Sequence, residues 1–268
     1  MNFKPILPLS GYVGWRFLER TMEAQQAAFS SSRPVQRATD YFRENIGNVR
    51  TANDLVNDRQ LLTVALGAFG LDDDINNRAF IQKVLEDGTQ AQDALANRLA
   101  DNRYADFSRA FGFGDGPLPP NMTDDFQADI ITRFENQQFS RAIGEQDNDL
   151  RLATNVNTGV AEIIEGSATN AGRWFSIMGN APLREVFQTA LGLPSSIAGI
   201  DIDKQLEVFQ DRARSVFGTD DVAQIAAPAQ QESLIRLFLV RSEANNLATT
   251  TAGATALALL QSAPRLMA

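Results

Sequence analysis

Apolar residues recur in this chain at three- and four-residue steps, and strict alternation is rare. That spacing constrains the fold more than any other feature, because it lines one face of an α-helix and cannot line one face of a strand. Leu61, Val64, Ala65, Ala68 and Phe69 share such a face. Ala, Leu, Gln, Glu and Arg are abundant, and all favour helix. The reading is an all-α, multi-helix body.

Glycine and proline divide the pattern into elements. Gly70 supplies a stop, since glycine adopts the left-handed conformation that closes helices. The next helix is expected to start at Asp73 or Asp74, whose carboxylate accepts from the free N–H groups of the first turn. It carries Ile75, Ala79, Val84 and Leu85 and ends near Asp87 and Gly88. A third helix is expected over 91–111, with Leu95, Leu99, Tyr104, Phe107 and Phe111 available for packing. Residues 112–121 (GFGDGPLPPN) are the clearest loop and read as a flexible connector. They divide an N-terminal helical part, 1–111, from a C-terminal helical part, 122–246, and an Ala/Thr-rich tail, 247–268. Further helices are expected over 123–167 with an interruption near Gly144, over 171–191, 203–217 and 229–245, and more weakly over 252–261.

Residues 56–75 align without gaps onto 178–197. Leu61, Val64, Ala68, Gly70, Leu71 and Ile75 match Leu183, Val186, Ala190, Gly192, Leu193 and Ile197. Each copy is an apolar helix, a Gly-Leu stop and a link into another helix. Convergence on a common helix ending explains this as readily as duplication. A duplication implies two similar helical units, which suits an elongated shape.

Composition removes whole branches of chemistry. The chain has no histidine and no cysteine. That excludes His-based triads, imidazole and thiolate metal sites, disulfides and iron–sulfur clusters. A net charge of −9, with arginines spread singly, argues against non-specific nucleic-acid binding, which needs Lys and Arg on phosphates. The N-terminal segment lacks the apolar run of a secretory signal. No stretch reaches the roughly 20 apolar residues that span a bilayer, and the apolar run 252–260 is too short. The default expectation is a cytoplasmic protein, without membrane insertion.

The remaining candidates for chemistry are weak. Asp72, Asp74 and Asn76 stand like the first ligands of a calcium loop, but Asn77 and Lys83 occupy the positions that need Gly and Glu. Helix capping is the better reading of the aspartates. Gly112, Gly114 and Gly116 follow no strand and precede prolines instead of a phosphate-binding helix. Glu19/Glu23, Asp125/Asp129 and Glu162/Glu165 sit three or four residues apart, a spacing that marks a solvated helical face unless one carboxyl is desolvated. Tyr12, Trp15 and Phe17 read as pins holding the N-terminal segment to the helical body, with an exposed partner anchor as the other reading. No catalytic, cofactor or metal residues are assigned, and no cofactor is expected.

Several separated segments carry a family resemblance: 8–18 (PLSGYVGWRFL), 51–62 (TANDLVNDRQLL), 65–72 (ALGAFGLD), 95–104 (LANRLADNRY), 110–113 (AFGF), 138–144 (QFSRAIG) and 148–153 (NDLRLA). Together they resemble the DUF1217 family, a domain of unknown function found mainly in alphaproteobacteria. Ser140 is a local departure, standing where an acidic residue is expected. Members of the family are often encoded among flagellar genes. The resemblance therefore implies a non-enzymatic helical protein linked to the bacterial flagellum, acting through protein–protein contacts in its structure or assembly. It would be cytoplasmic, or exported into the flagellum without a cleaved signal.

A flagellar protein is the partner implied, and homo-oligomerisation is compatible with it. Two alternatives stand beside this reading: a cytoplasmic chaperone or regulator of a flagellar export substrate, and an uncharacterised enzyme with a carboxylate-based site. Residues 247–260 are the segment expected to order on assembly.

Overall fold

The computed structural model describes residues 3–99, 101–116 and 123–262, with side chains described as far as residue 247. Helices account for the regular structure, and no strand occurs among the described residues. The chain divides into two compact units. One comprises Met1–Ile6 and Arg20–Ala142, the other Leu7–Glu19 and Ile143–Ala268.

The first unit takes in most of the chain up to residue 142. Helix α1 (Gly11–Ser30) contributes its second half here. It is followed by α2 (Arg33–Asn45), α3 (Ala52–Asn57), α4 (Arg59–Ala68), α5 (Arg78–Asp87), α6 (Leu95–Arg98), α7 (Arg103–Phe111) and most of α8 (Asp124–Gly144). Val35, Thr39 and Phe42 lie on one face of α2, which packs on α4. Helix α3 begins with a full capping box, Thr51 accepting from Asp54 N and Asp54 accepting from Thr51 N. Helix α4 is nearly all buried from Leu61 to Ala68. Its core is closed by an aromatic cluster, in which Phe69, Phe107, Phe111 and Phe126 follow one another at 5.1–5.5 Å between ring centres.

The second unit comprises the first half of α1 together with α9 (Asn148–Gly166), α10 (Asn170–Gly179), α11 (Ala181–Leu191), α12 (Ile202–Phe217), α13 (Val222–Ile225) and α14 (Pro228–Ser262). Helix α11 packs on α9, α10, α12 and α14. Trp174, Phe187 and Phe209 fill the space between them.

The likeness between residues 56–75 and 178–197 extends well past six identities. Asp58 caps α4 by accepting from Gln60 N and Leu61 N, and Asn180, at the same offset, caps α11 by accepting from Leu183 N. Gly70 and Gly192 both sit at φ +67. The following amide closes each helix in the same way, Leu71 N on Leu66 O and Leu193 N on Gln188 O, both at 2.9 Å. A 3-10 turn comes next in each copy, Asp72–Asn76 and Ser195–Gly199, before the next helix.

The helix lying over each stop also corresponds. Buried Ile130, Ile131 and Phe134 on α8 match buried Leu234, Ile235 and Phe238 on α14, an offset of 104. Gln137 lies over Gly70 as Arg241 lies over Gly192. The two units thus repeat one motif, and the first inserts α6 and α7 where the second has only α13. Aromatic bulk has moved between the copies. Trp174 and Phe187 stand where the first copy has Ala52 and Ala65, and all four are buried.

Several expected boundaries differ. The units part within the run of α8, after Ala142, and not at 112–121. The described part of that loop, 112–116, is not a free connector. Gly114 lies against the backbone of Gly88, and Asp115 accepts from Thr89 N, Gln90 N and the Thr89 hydroxyl. Residues 117–121 lie outside the described residues.

The helix expected over 91–111 is broken between α6 and α7, where Leu99 is extended and Asp101 turns back to accept from Arg103 N and its guanidinium. The helix over 171–191 is two, because Asn180 begins a new cap and Pro182 in the first turn lacks the N–H that continuation would need. Conversely, the helices expected over 229–245 and 252–261 are one continuous α14, so the segment from 247 to 262 is helical backbone joined to the body and not a separate tail. Residues 263–268 lie outside the described residues.

Candidate functional site

Among the described residues, the polar feature richest in chemistry is the acidic turn after α4. Asp72, Asp73 and Asp74 occupy a 3-10 turn, and the expected capping of the next helix does not occur. Helix α5 starts later, at Arg78, and its N-cap residue Asn77 makes no side-chain cap bond. Asp72 and Asp74 bond to other side chains instead, most of them distant in sequence. Asp72 accepts from Gln138 Nε2 at 2.7 Å and pairs with the Arg141 guanidinium at 3.3 Å. Asp74 accepts from the Tyr104 hydroxyl at 2.6 Å and from Asn77 Nδ2 at 2.7 Å. Both bonds to Asp74 are charge-assisted, and between them they occupy the carboxylate that would otherwise cap α5.

The same carboxylates point to different neighbours and converge on no common centre. No group of three or more metal-ligating side chains occurs among the described residues. Beside the turn lies a recess of about 210 Å³, lined by Arg59, Thr63, Leu66, Asp72 and Ile75. That is below the ~300–1,000 Å³ of ordinary small-molecule sites. Its polar groups are already engaged: Thr63 Oγ1 donates to Arg59 O at 2.7 Å, and the Arg59 guanidinium donates to Asn76 at 3.3 Å. The repeat offers a further test. The equivalent positions in the second unit hold Ala181, Glu185, Gln188, Pro194 and Ile197, so the Arg59, Thr63 and Asp72 lining is not repeated there.

The three carboxylate pairs lie on solvated faces. Glu23, Asp125, Asp129, Glu162 and Glu165 are exposed. Glu19 pairs with Arg16 and Asp129 with Arg133, each at 2.8 Å. Where a carboxyl departs from its ordinary range, it is held below it. Thr51 does this to Asp54, Lys83 to Asp87 and Arg103 to Asp101. A general acid at neutral pH needs the opposite direction.

At the start of the chain, Trp15 is buried and Phe17 half-buried. The Tyr12 hydroxyl donates to Glu232 at 2.7 Å, fastening α1 to α14. These side chains act as pins, as their clustering suggested.

The three tyrosines give a measurable signature. Each phenol donates to a carboxylate: Tyr12 to Glu232, Tyr41 to Asp58 and Tyr104 to Asp74. These hydrogen bonds raise Tyr12 and Tyr41 above the ordinary phenol value, while burial and then Asp74 push Tyr104 up to about 12. A phenol whose folded pKa is raised adds stability that is fully present below the unfolded value of about 10. That stability is lost as pH climbs through 12. Ultraviolet titration of the folded protein is expected to show fewer than half of the phenols ionised at pH 10. Asp74→Asn should bring the last phenol down, and an unchanged Tyr104 transition would refute the pairing.

Comparison with known proteins fits this picture. The family described as "Protein of unknown function (DUF1217)" matches residues 68–230, more than half of the chain. The chain belongs to the DUF1217 family. It is similar to protein AGR_C_984 from Agrobacterium tumefaciens, whose X-ray crystal structure was solved as a structural genomics target. Identity is 26% with a TM-score of 0.71, covering 91% of this chain and 99% of that one. No curated protein matches the chain. No helix among the described residues is long and apolar enough to cross a membrane.

Proposed function

We propose that this DUF1217 protein is a non-enzymatic helical protein linked to the bacterial flagellum, acting through protein–protein contacts in its structure or assembly. The flagellar element of this reading rests on the family resemblance carried by the separated motifs described above. The observation that favours contact over chemistry is α14. Its first half packs on α9 and α11, yet Val240 and Leu247, one heptad apart on the helix, are 51% and 65% exposed. From Ala244 to Ser262 the helix carries no charged residue. Exposed apolar side chains repeated along one helix, as Val240 and Leu247 are, suit burial against another protein.

Fractionation of a flagellated source cell tests the flagellar link, with the chain probed in cytosol, basal bodies and sheared filaments. Presence in basal bodies or filaments is the expected result. Confinement to the cytosol in a 1:1 complex with one axial protein would instead select the chaperone reading, and absence of any flagellar partner would overturn both. Removing residues 247–268 is expected to leave the melting temperature of the body within a few degrees while reducing partner capture at least tenfold. Unchanged capture at equal stability would remove α14 from the interface.

A further inference from the structure

The two copies of the repeat differ in charge at one place, the end of the helix that each glycine stop closes. In the first copy a single guanidinium lies there. Arg103 donates through Nη1 to Gly70 O, and Asp101 accepts from its Nε at 3.0 Å and its Nη2 at 2.7 Å. The second copy places two guanidiniums at the equivalent end, that of α11. Arg241 of α14 donates through Nη1 to Ala190 O, and Arg212 of α12 donates through Nε to Leu191 O at 2.8 Å. Both border the same glycine: a Cβ on Gly192 would lie 2.9 Å from Arg241 Nη1 and 3.7 Å from Arg212 Nη2.

Carbonyls at a helix C-terminus favour a cation, which accounts for one arginine at each end. What the second end lacks is the counter-charge. Neither Arg212 nor Arg241 forms an ion pair among the described residues. Asp101 comes from the connection between α6 and α7, an insertion that the second unit does not have. The acids before α13, Asp220 and Asp221, turn to Arg214 and Arg173 instead. Each backbone bond of Arg212 and Arg241 uses one donor and leaves the rest of the fork. Arg212 and Gly192 are exposed and Arg241 is half-buried, so the pair lies at the surface of this unit. Like charges held side by side repel, and a carboxylate set between them relieves the repulsion through charge-assisted bonds to both.

We propose that Arg212 and Arg241 form a docking site for an aspartate or glutamate side chain of a partner protein, which does at Gly192 what Asp101 does at Gly70. Charge complementarity selects the occupant, and the first copy supplies its chemistry. Val240, next to Arg241 and exposed, gives the partner an apolar contact beside the ion pair. The inference gives a chemistry to the partner contact proposed above and rests on that reading.

The test uses the full chain and a capped peptide, acetyl-LADNLA-amide, whose aspartate sits in the local sequence of Asp101. Two-dimensional NMR follows the arginine Nε–H signals during titration. Those of Arg212 and Arg241 are expected to shift together and saturably. The same peptide with asparagine for aspartate should bind at least tenfold more weakly. That comparison needs no protein variant, so it holds even where a substitution loosens the end of α11. Arg212→Gln and Arg241→Gln should each weaken the aspartate peptide at least fivefold, whereas Arg236→Gln, on the same helix, should change binding less than twofold. No shift, equal binding of the two peptides, or an equal loss with Arg236→Gln would leave the arginines as helix caps alone and overturn the proposal. Inorganic phosphate binding the pair more tightly than the aspartate peptide would point to a free anion and overturn it as well. These outcomes are read on the purified chain, whereas absence from flagellar fractions would refute only the flagellar link.

Discussion

Trp174→Ala is expected to destabilise the second unit by about 4 kcal/mol, at the high end for a single core truncation. Trp174 is fully buried, meets Phe187 edge-on at 5.6 Å and lies 6.1 Å from Phe209. Its Nε1 donates to Asp220 O at 2.8 Å, which ties α10 to the turn before α13. Asp220 O also accepts from Asn170 Nδ2, and Asn170 Oδ1 accepts from Val222 N, so removal of the indole does not orphan that carbonyl. The cost is therefore mainly cavity and lost ring packing. Trp174→Phe divides the total, because it keeps most of the volume and loses the hydrogen bond together with part of the ring packing, for about 1–2 kcal/mol. Urea denaturation followed by circular dichroism measures both. If the alanine variant lost no more than the phenylalanine variant, the Trp174–Phe187–Phe209 cluster would not be the centre of this unit.

How much of this was legible beforehand follows a physical divide between local and distant interactions. Helix stops at Gly70, Gly88 and Gly192 were readable because a positive φ is a property of one residue. The likeness of the two copies showed first in those stops and in the apolar face they close. What the sequence concealed lay in partners far along the chain. The aspartates at 72–74 look like caps until Gln138, Arg141 and Tyr104, from 30 to 69 residues away, are brought beside them. Ala52 and Ala65 look like weak core positions until their counterparts Trp174 and Phe187 show that the same layer is filled by different residues in each copy. Residues 3–6 gave no periodic signal, since Ile6 is held there through its backbone by the Gln25 amide, 19 residues away. For the functional site, spacing alone indicated that the carboxylate pairs were solvated.

The loop read as a free connector provides the sharpest case, and Gly88→Ala is expected to cost about 3–5 kcal/mol there. Gly88 holds φ +66 and ψ −154, a region that side-chain-bearing residues enter only under strain of about 1–3 kcal/mol. Space is also lacking. A Cβ would lie 2.8 Å from the Gly114 carbonyl carbon and would run into the Asp115 carboxylate. Evicting Asp115 would release Thr89 N, Gln90 N and the Thr89 hydroxyl together. Two control glycines divide this total. Gly218 has φ +76 but open space around its Cβ position, so Gly218→Ala isolates the conformational cost, about 1–2 kcal/mol. Gly116 has neither positive φ nor, among the described residues, a neighbour within 4 Å, so Gly116→Ala should fall within about 0.5 kcal/mol of the parent. Chemical denaturation of the three variants should rank them Gly88, Gly218, Gly116. If Gly88→Ala cost no more than Gly218→Ala, the backbone contact between the end of α5 and the turn after α7 would contribute nothing. The loop would then be the free connector that its composition suggests.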